Sequence, residues 1–430
     1  MNSAFIGVDL GTSGCRGICI DEGGKQLARA SRPLPASTHP RPGWSEQNPK
    51  DWWLAVLAVL AELAQATRGY EIRAIALDGT SGTLLLSDRQ GRPLSPGIMY
   101  DDRRAVEEAR RLASLAPDQT AILNPGASLP KLLWLKKQDA IPRQALALHQ
   151  SEWISGRLCG QPGLGDENNC LKLGYDPRQQ DWPAWMKRLD LPPALLPRVL
   201  PVGKPMGQVS AETAALTRLP PHCRVIAGTT DSTAAALAAG LEHPGDALTS
   251  LGSTLVCKIL VDHPLQAPQY GIYSHRIFDC WLAGGASNSG GAVLRQHFTD
   301  REIEELSRRI RPDRRSCLEY YPLPAPGERF PFNDPGKQPR LSPVPRERTR
   351  FLQGILEGIA RVEKLGYRRL EELGAGYPLG VVTSGGGAGN ETWEKIRQRM
   401  LGIPVSAASH GEPAHGSALI ALRGTSREPR

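Results

Sequence analysis

A duplicated ribonuclease-H-like α/β fold is what the sequence predicts, and three observations predict it. The chain opens on two apolar strands, residues 5–9 and 15–20, around the Gly-hydroxyl turn Gly11-Thr12-Ser13-Gly14. A third strand, a long helix and a fourth strand then follow in that order. Far downstream a similar opening recurs, with apolar strands 247–251 and 255–260 around Gly252-Ser253-Thr254.

Each element has its own warrant. A second turn, Asp21-Glu22-Gly23-Gly24, leads into the third strand. Asn48-Pro49 supplies an N-cap and a first-turn proline, and residues 52–66 carry apolar side chains at helical spacing. Residues 72–77 read as a short buried strand ending at Asp78, and the Ala-rich run 233–241 reads as a helix. The stretch 240–245 reads as a boundary, giving an N-terminal lobe 1–241 and a C-terminal lobe 242–430. Later come a long amphipathic helix at 351–373, a short strand at 381–383 and a helix at 392–401. The Pro- and Arg-dense segment 311–346 reads as a long ordered loop. Trp52, Trp53 and Trp134 are expected in the core.

Composition bounds the function. With 430 residues, 40% hydrophobic and 22% charged, the chain suits two globular domains and not a disordered protein. No basic leader precedes a long apolar run, and no apolar stretch is long enough to span a bilayer, so a cytoplasmic protein without membrane attachment is expected. Eight cysteines stand singly without a CxxC pair, which reads as reduced thiols. The net charge of +8 is carried by scattered arginines, not by one basic block with interleaved aromatics. That pattern argues against nucleic acid and suits an enzyme of phosphorylated molecules.

Phosphoryl transfer needs a phosphate cradle, a metal, a placed nucleophile and a proton acceptor. In the first turn, glycines admit phosphate oxygens to the backbone, Thr12 and Ser13 can donate, and the strand-end carboxylate Asp9 can hold hydrated Mg²⁺; an ordinary hairpin turn is the alternative. Asp231 ends Gly228-Thr229-Thr230 at a strand-to-helix junction, where it either accepts the proton of an attacking hydroxyl or caps the helix. Gly385-Gly386-Gly387-Ala388-Gly389-Asn390 lies between strand and helix and suits close approach of a nucleotide, although no Walker lysine follows. Ser81, in Gly79-Thr80-Ser81-Gly82, and the pair Asp101 and Asp102 suit sugar hydroxyls, or the two acids simply favour a helix start.

Taken in order, these stretches resemble the FGGY carbohydrate kinases over nearly the whole chain. The first turn resembles that family's first phosphate motif, and Gly43-Trp44-Ser45-Glu46-Gln47-Asn48-Pro49 with Trp52-Trp53 its post-hairpin signature. Gly228 to Asp231 resembles its base motif, Leu251-Gly252-Ser253-Thr254 its second phosphate loop, Gly385 to Asn390 its adenosine loop, and Pro326 to Pro335 a further stretch. The resemblance implies an actin-like ATPase fold of two lobes around a central cleft, with sugar against the first lobe and ATP against the second. It implies Asp231 as general base, Asp9 as the Mg²⁺-associated carboxylate and Thr12 as a phosphate ligand. Gly252, Ser253 and Thr254 would lie at the ATP phosphates, and Gly386, Gly387 and Asn390 at the adenosine.

The short length and the helix 358–367 are most similar to the compact xylulokinase-like branch. That implies phosphorylation of D-ribulose to D-ribulose 5-phosphate, with D-xylulose as the rival acceptor, in a monomer or homodimer. Tyr100 stands where longer pentulose kinases usually carry tryptophan. The readings left open are a non-catalytic actin-like protein binding ATP or sugar, and an acetate-kinase-like or chaperone-like ATPase; a Rossmann oxidoreductase lacks its glycine fingerprint.

Overall fold

The computed structural model describes residues 2–426. The chain forms two compact units, one of Met1–Ala238, Arg276–Phe278 and Glu412–Arg430, the other of Ala239–His275 and Asp279–Gly411. Among the described residues no helix is long and apolar enough to cross a membrane.

The first unit begins with the expected hairpin. Strands β1 (Asn2–Leu10) and β2 (Gly14–Asp21) pair antiparallel, and β3 (Gln26–Pro33) adds to β2. Helix α1 (Pro49–Ala66) starts where Asn48 accepts from the Lys50 N–H, with Pro49 at its first position. It lays Trp52, Val56, Val59, Leu60 and Leu63 on the sheet. Strand β4 (Tyr70–Gly79) runs parallel to β1 and is longer than the six residues read from apolarity, because Tyr70 and Glu71 extend the pairing at its half-exposed start. Helices α2 (Ser128–Lys137) and α3 (Gln150–Leu158) follow, then β5 (Pro205–Gln208), β6 (Arg224–Thr230) and α4 (Asp231–Ala238). The six-stranded sheet has the order β5-β6-β4-β1-β2-β3, with β6 parallel to β4.

The second unit repeats this plan. Strands β7 (Asp246–Leu251), β8 (Leu255–Val261), β9 (Tyr273–Ile277) and β10 (Cys280–Ser287) lead to α5 (Gly291–His297) and α6 (Asp300–Ser307). After the long loop come α7 (Arg348–Leu370), β11 (Gly380–Ser384), α8 (Glu391–Leu401) and β12 (Val405–Ala407). Their sheet order is β9-β10-β8-β7-β11-β12. In both sheets three antiparallel strands are followed outward from the first by two parallel ones, β4 and β6 in one, β11 and β12 in the other. The loop before α7 is held by buried Glu328, which accepts from the Ser287 and Tyr321 hydroxyls and the Asn288 N–H.

One correction concerns the end of the chain. The sequence reading assigned 242–430 to one lobe, but α9 (Pro413–Ser426) returns to the first unit and packs on β1. Gly7 permits this, since a Cβ there would sit 2.0 Å from the Ala414 carbonyl oxygen. Such contact between strand and helix backbones is invisible to local periodicity.

Candidate active site

Strand register builds the first half of the site. Across the parallel strands Asp9 lies beside Asp78, and Asp78 beside Thr229. Asp231 follows two residues after Thr229, as the first residue of α4. Three carboxylates therefore gather where the parallel strands end, the usual position for ligands in an α/β sheet. Asp9 is 4% exposed and is paired to Arg16 at 3.2 Å. Asp78 is fully enclosed and accepts from the Ser417 hydroxyl of α9 at 2.6 Å.

Burial raises the Asp78 pKa well above the carboxylate range, and the charge of Asp9 pushes it further. Burial raises Asp9 too, while Asp78 and Arg16 pull it down. Two carboxylates in contact share a hydrogen bond only if one is protonated, and fully enclosed Asp78 is that one. Asp231 accepts the Ser232 N–H at 2.6 Å, so it also serves the first turn of its own helix.

Short polar side chains surround these acids. Asn168 donates to the Thr229 hydroxyl at 2.8 Å, and Asn169 to the Thr229 carbonyl at 3.2 Å. Asp166 fixes both asparagines by accepting their backbone N–H groups; burial and then Glu152 push its pKa up to about 7. Behind them His149, Glu152 and Cys170 bring their ligand atoms within 4.8 Å of one another. All three are buried and already bonded, His149 to Glu152 and Ser128, and Cys170 to Glu152. Three enclosed atoms near the strand ends have no hydrogen-bond partner among the described residues: Ser81 Oγ, Gln150 Nε2 and Asn169 Oδ1. Such atoms are costly unless something else completes them.

The hydroxyls of Thr12 and Ser13 make no hydrogen bond among the described residues, whereas their carbonyls accept from Gln47 and the Leu34 N–H. The other sugar-directed acids separate. Asp101 is exposed. Asp102 is a correction: it is 0% exposed and both its oxygens are filled, by the Ser45 and Arg104 N–H groups and by the Arg104 guanidinium. That guanidinium also binds Glu46 and stacks 3.7 Å over Trp44, so Asp102 is a buried clamp and presents nothing to a sugar.

Beneath Tyr100 lies Lys131, fully buried. Its ammonium donates to the carbonyls of Gly82 (2.9 Å), Met99 (2.6 Å) and Gly126 (2.9 Å). Burial lowers its pKa to about 7. Lys131→Met would leave three carbonyls without donors at about 1 kcal/mol or more each. We expect the thermal midpoint to fall by on the order of 10 °C; an unchanged midpoint in differential scanning calorimetry would show that the carbonyls find other donors.

In the second unit a cavity of about 770 Å³ opens beside the repeated hairpin turn. Gly252, Ser253, Gly386, Gly387 and Asn390 line it, while Thr254 does not. Ser253 accepts from Arg295 at 2.6 Å. The Asn390 side chain is committed elsewhere, capping α8 through the Trp393 N–H and donating to Ser307. It lines the cavity with one amide N–H engaged by Ser307. Arg295 and Arg308 also line it and went unremarked in the sequence, since nothing local distinguishes them from other surface arginines.

Comparison with known proteins agrees with this architecture. Residues 4–238 match the N-terminal domain of the FGGY family of carbohydrate kinases, and 247–425 match its C-terminal domain. The chain belongs to the FGGY family and is a carbohydrate kinase with the duplicated, actin-like fold expected from its sequence. It is similar to the xylulose kinase of Escherichia coli (strain K12), 26% identical over 437 residues, which cover 97% of this chain and 89% of that one. The xylulose kinase of Bacillus subtilis (strain 168) is 26% identical over 443 residues, covering 98% and 88%. Among solved structures, a xyloylose kinase from Brucella ovis has a TM-score of 0.89 at 25% identity, covering 99% of this chain and 91% of that one.

Proposed function

We propose that this kinase uses ATP to phosphorylate a pentulose on its terminal hydroxyl. The observation that carries the reading is the line of Asp9, Asp78 and Thr229-Thr230-Asp231 across the ends of three strands, beside enclosed polar atoms that lack partners. A polyol supplies hydroxyls that donate and accept at once, which suits such a set. Asp231 accepts the proton of the attacking hydroxyl. Protonated Asp78 donates to Asp9 and keeps it oriented.

Asp9, a hard oxygen donor in a buried position that disfavours its charge, fits association with hydrated Mg²⁺. The metal when bound supplies positive charge to the ATP phosphates. Thr12 and Ser13 offer open hydroxyls to phosphate, and Ser81 to the sugar. Gly252 and Ser253 suit the phosphates of ATP, and Gly386 and Gly387 let adenosine approach the backbone of the second unit's cavity. Thr254 holds the turn, its carbonyl accepting from the Gly252 N–H at 3.2 Å, and Asn390 caps α8 at the cavity wall.

Between acceptors, the names of the curated relatives favour D-xylulose. D-Ribulose, its C3 epimer, is the second reading, carried by the resemblance to the compact branch. The test is coupled ADP release with ATP and Mg²⁺ against D-xylulose, D-ribulose, L-ribulose, glycerol and gluconate. A pentulose should give the highest kcat/KM, and chelating Mg²⁺ should abolish turnover. Turnover of glycerol or gluconate alone would overturn the pentulose reading, and sugar-independent hydrolysis would return the chain to the ATPases.

A further inference from the structure

Lys172 follows the helical turn that carries Asn168 and Asn169, in the short segment Leu171–Leu173. Its side chain is partly buried and donates one hydrogen bond, to the Ser81 carbonyl at 3.0 Å. The stem lies over Gly82, where a Cβ would be 3.1 Å from Lys172 Cδ; the φ of +94° and this contact both keep position 82 free of a side chain. An ammonium has three N–H donors, so two remain without a partner among the described residues. They lie in the neighbourhood of Ser81 Oγ, itself unpartnered. Burial lowers the Lys172 pKa and the Asp231 carboxylate works against that, which puts the two groups in each other's field.

We propose that Lys172 is a specificity-determining residue of the acceptor site, its two open N–H groups donating to the keto oxygen of an open-chain 2-ketose whose terminal hydroxyl faces Asp231. The assignment rests on the sugar-kinase reading of that site and adds to it the functional group that is recognised. A keto oxygen only accepts, and an ammonium only donates, so the pair is matched without a proton to place. The hydroxyl of an alditol at the same carbon both donates and accepts, so it can also be met by the unpartnered neutral atoms Ser81 Oγ and Asn169 Oδ1 and depends less on the cation. Lys172 therefore discriminates ketoses from the corresponding alditols.

The experiment compares kcat/KM for D-xylulose and D-ribulose with that for xylitol and ribitol, in the full-length wild type, Lys172→Met and Lys172→Arg. Losing a charged hydrogen bond should cost Lys172→Met about tenfold to a hundredfold on the ketoses, expressed in KM. The alditols should change by less than about threefold, and Lys172→Arg should recover part of the ketose loss. Equal losses on both classes, or a fall in kcat with KM unchanged, would assign Lys172 a merely structural role and overturn the proposal. If Lys172→Met yields no cooperative melting transition, Lys172→Arg decides: a ketose KM raised with alditol KM unchanged upholds the assignment, and identical changes sink it. A wild type active on ketoses with discrimination intact in both variants removes the lysine assignment alone. A wild type inactive on both classes removes the pentulose reading with it.

Discussion

Asp231→Asn is expected to lower sugar-dependent kcat by about 10²–10⁴-fold, the range for loss of a general base, while leaving the fold and ATP binding intact. The two roles open to Asp231 make this substitution decisive. Its carboxylate accepts the Ser232 N–H at the start of α4, and a carboxamide oxygen can accept the same bond. Asparagine is as good as aspartate at helix starts, so a purely capping residue would tolerate the change with turnover near wild type. A proton acceptor would not, because a neutral amide has no useful basicity at neutral pH. Coupled ADP release with the preferred pentulose, paired with a thermal melt and nucleotide titration, separates the cases. Preserved turnover would remove Asp231 as the base; lost turnover with an unchanged melt and unchanged nucleotide affinity would uphold it.

What the sequence made legible is what lies close along the chain. The paired hairpins, the Asn48-Pro49 helix start and the glycine loop at 385–389 are each written in a few neighbouring residues, and the structure has each of them. Asp78 was read only as the end of a strand. Its meaning comes from register, since pairing of β4 with β1 sets it against Asp9, and α9 brings Ser417 to it from 339 residues away. Asn168, Asn169 and Lys172 sit in a stretch without periodicity, and only the folded contacts with Thr229 and Ser81 distinguish them. Asp102 misled for the converse reason. An acid before a helix looks solvated or ligand-facing, and the Ser45 N–H that engages it lies 57 residues earlier. The duplication shows the same limit: the hairpins correspond in strand order, yet Asp9 beside its turn has Ser250 as its counterpart when the last paired residues, Leu10 with Cys15 and Leu251 with Leu255, are aligned. Shared topology was readable, and the assignment of charge to one copy follows only from the individual residues.

The largest effect on stability is expected from Arg397→Met in the second unit. Arg397 on α8 is 2% exposed and holds Glu363 of α7, which is 0% exposed, through two hydrogen bonds of 2.7 and 2.6 Å. A third bond of 2.6 Å reaches Thr383 on β11, and the Thr249 hydroxyl on β7 donates to Glu363 at 2.5 Å. Four elements of the second unit are thus tied by one ion pair, and two of them, β7 through Leu251 and α8 through Glu391, Thr392 and Trp393, line the 770 Å³ cavity. Burial by itself lowers the Arg397 pKa, and Glu363 more than reverses it. Removing the arginine leaves a buried carboxylate without its counter-charge, at about 3–5 kcal/mol, and a fall in the thermal midpoint on the order of 10 °C. Glu363→Gln in the same background should return part of the loss, because the uncompensated charge is then gone although the bonds are not restored. If the single variant melts like the wild type, the pair contributes nothing net. If the double variant is no better than the single, the cost lies in lost packing around the guanidinium and not in the stranded charge.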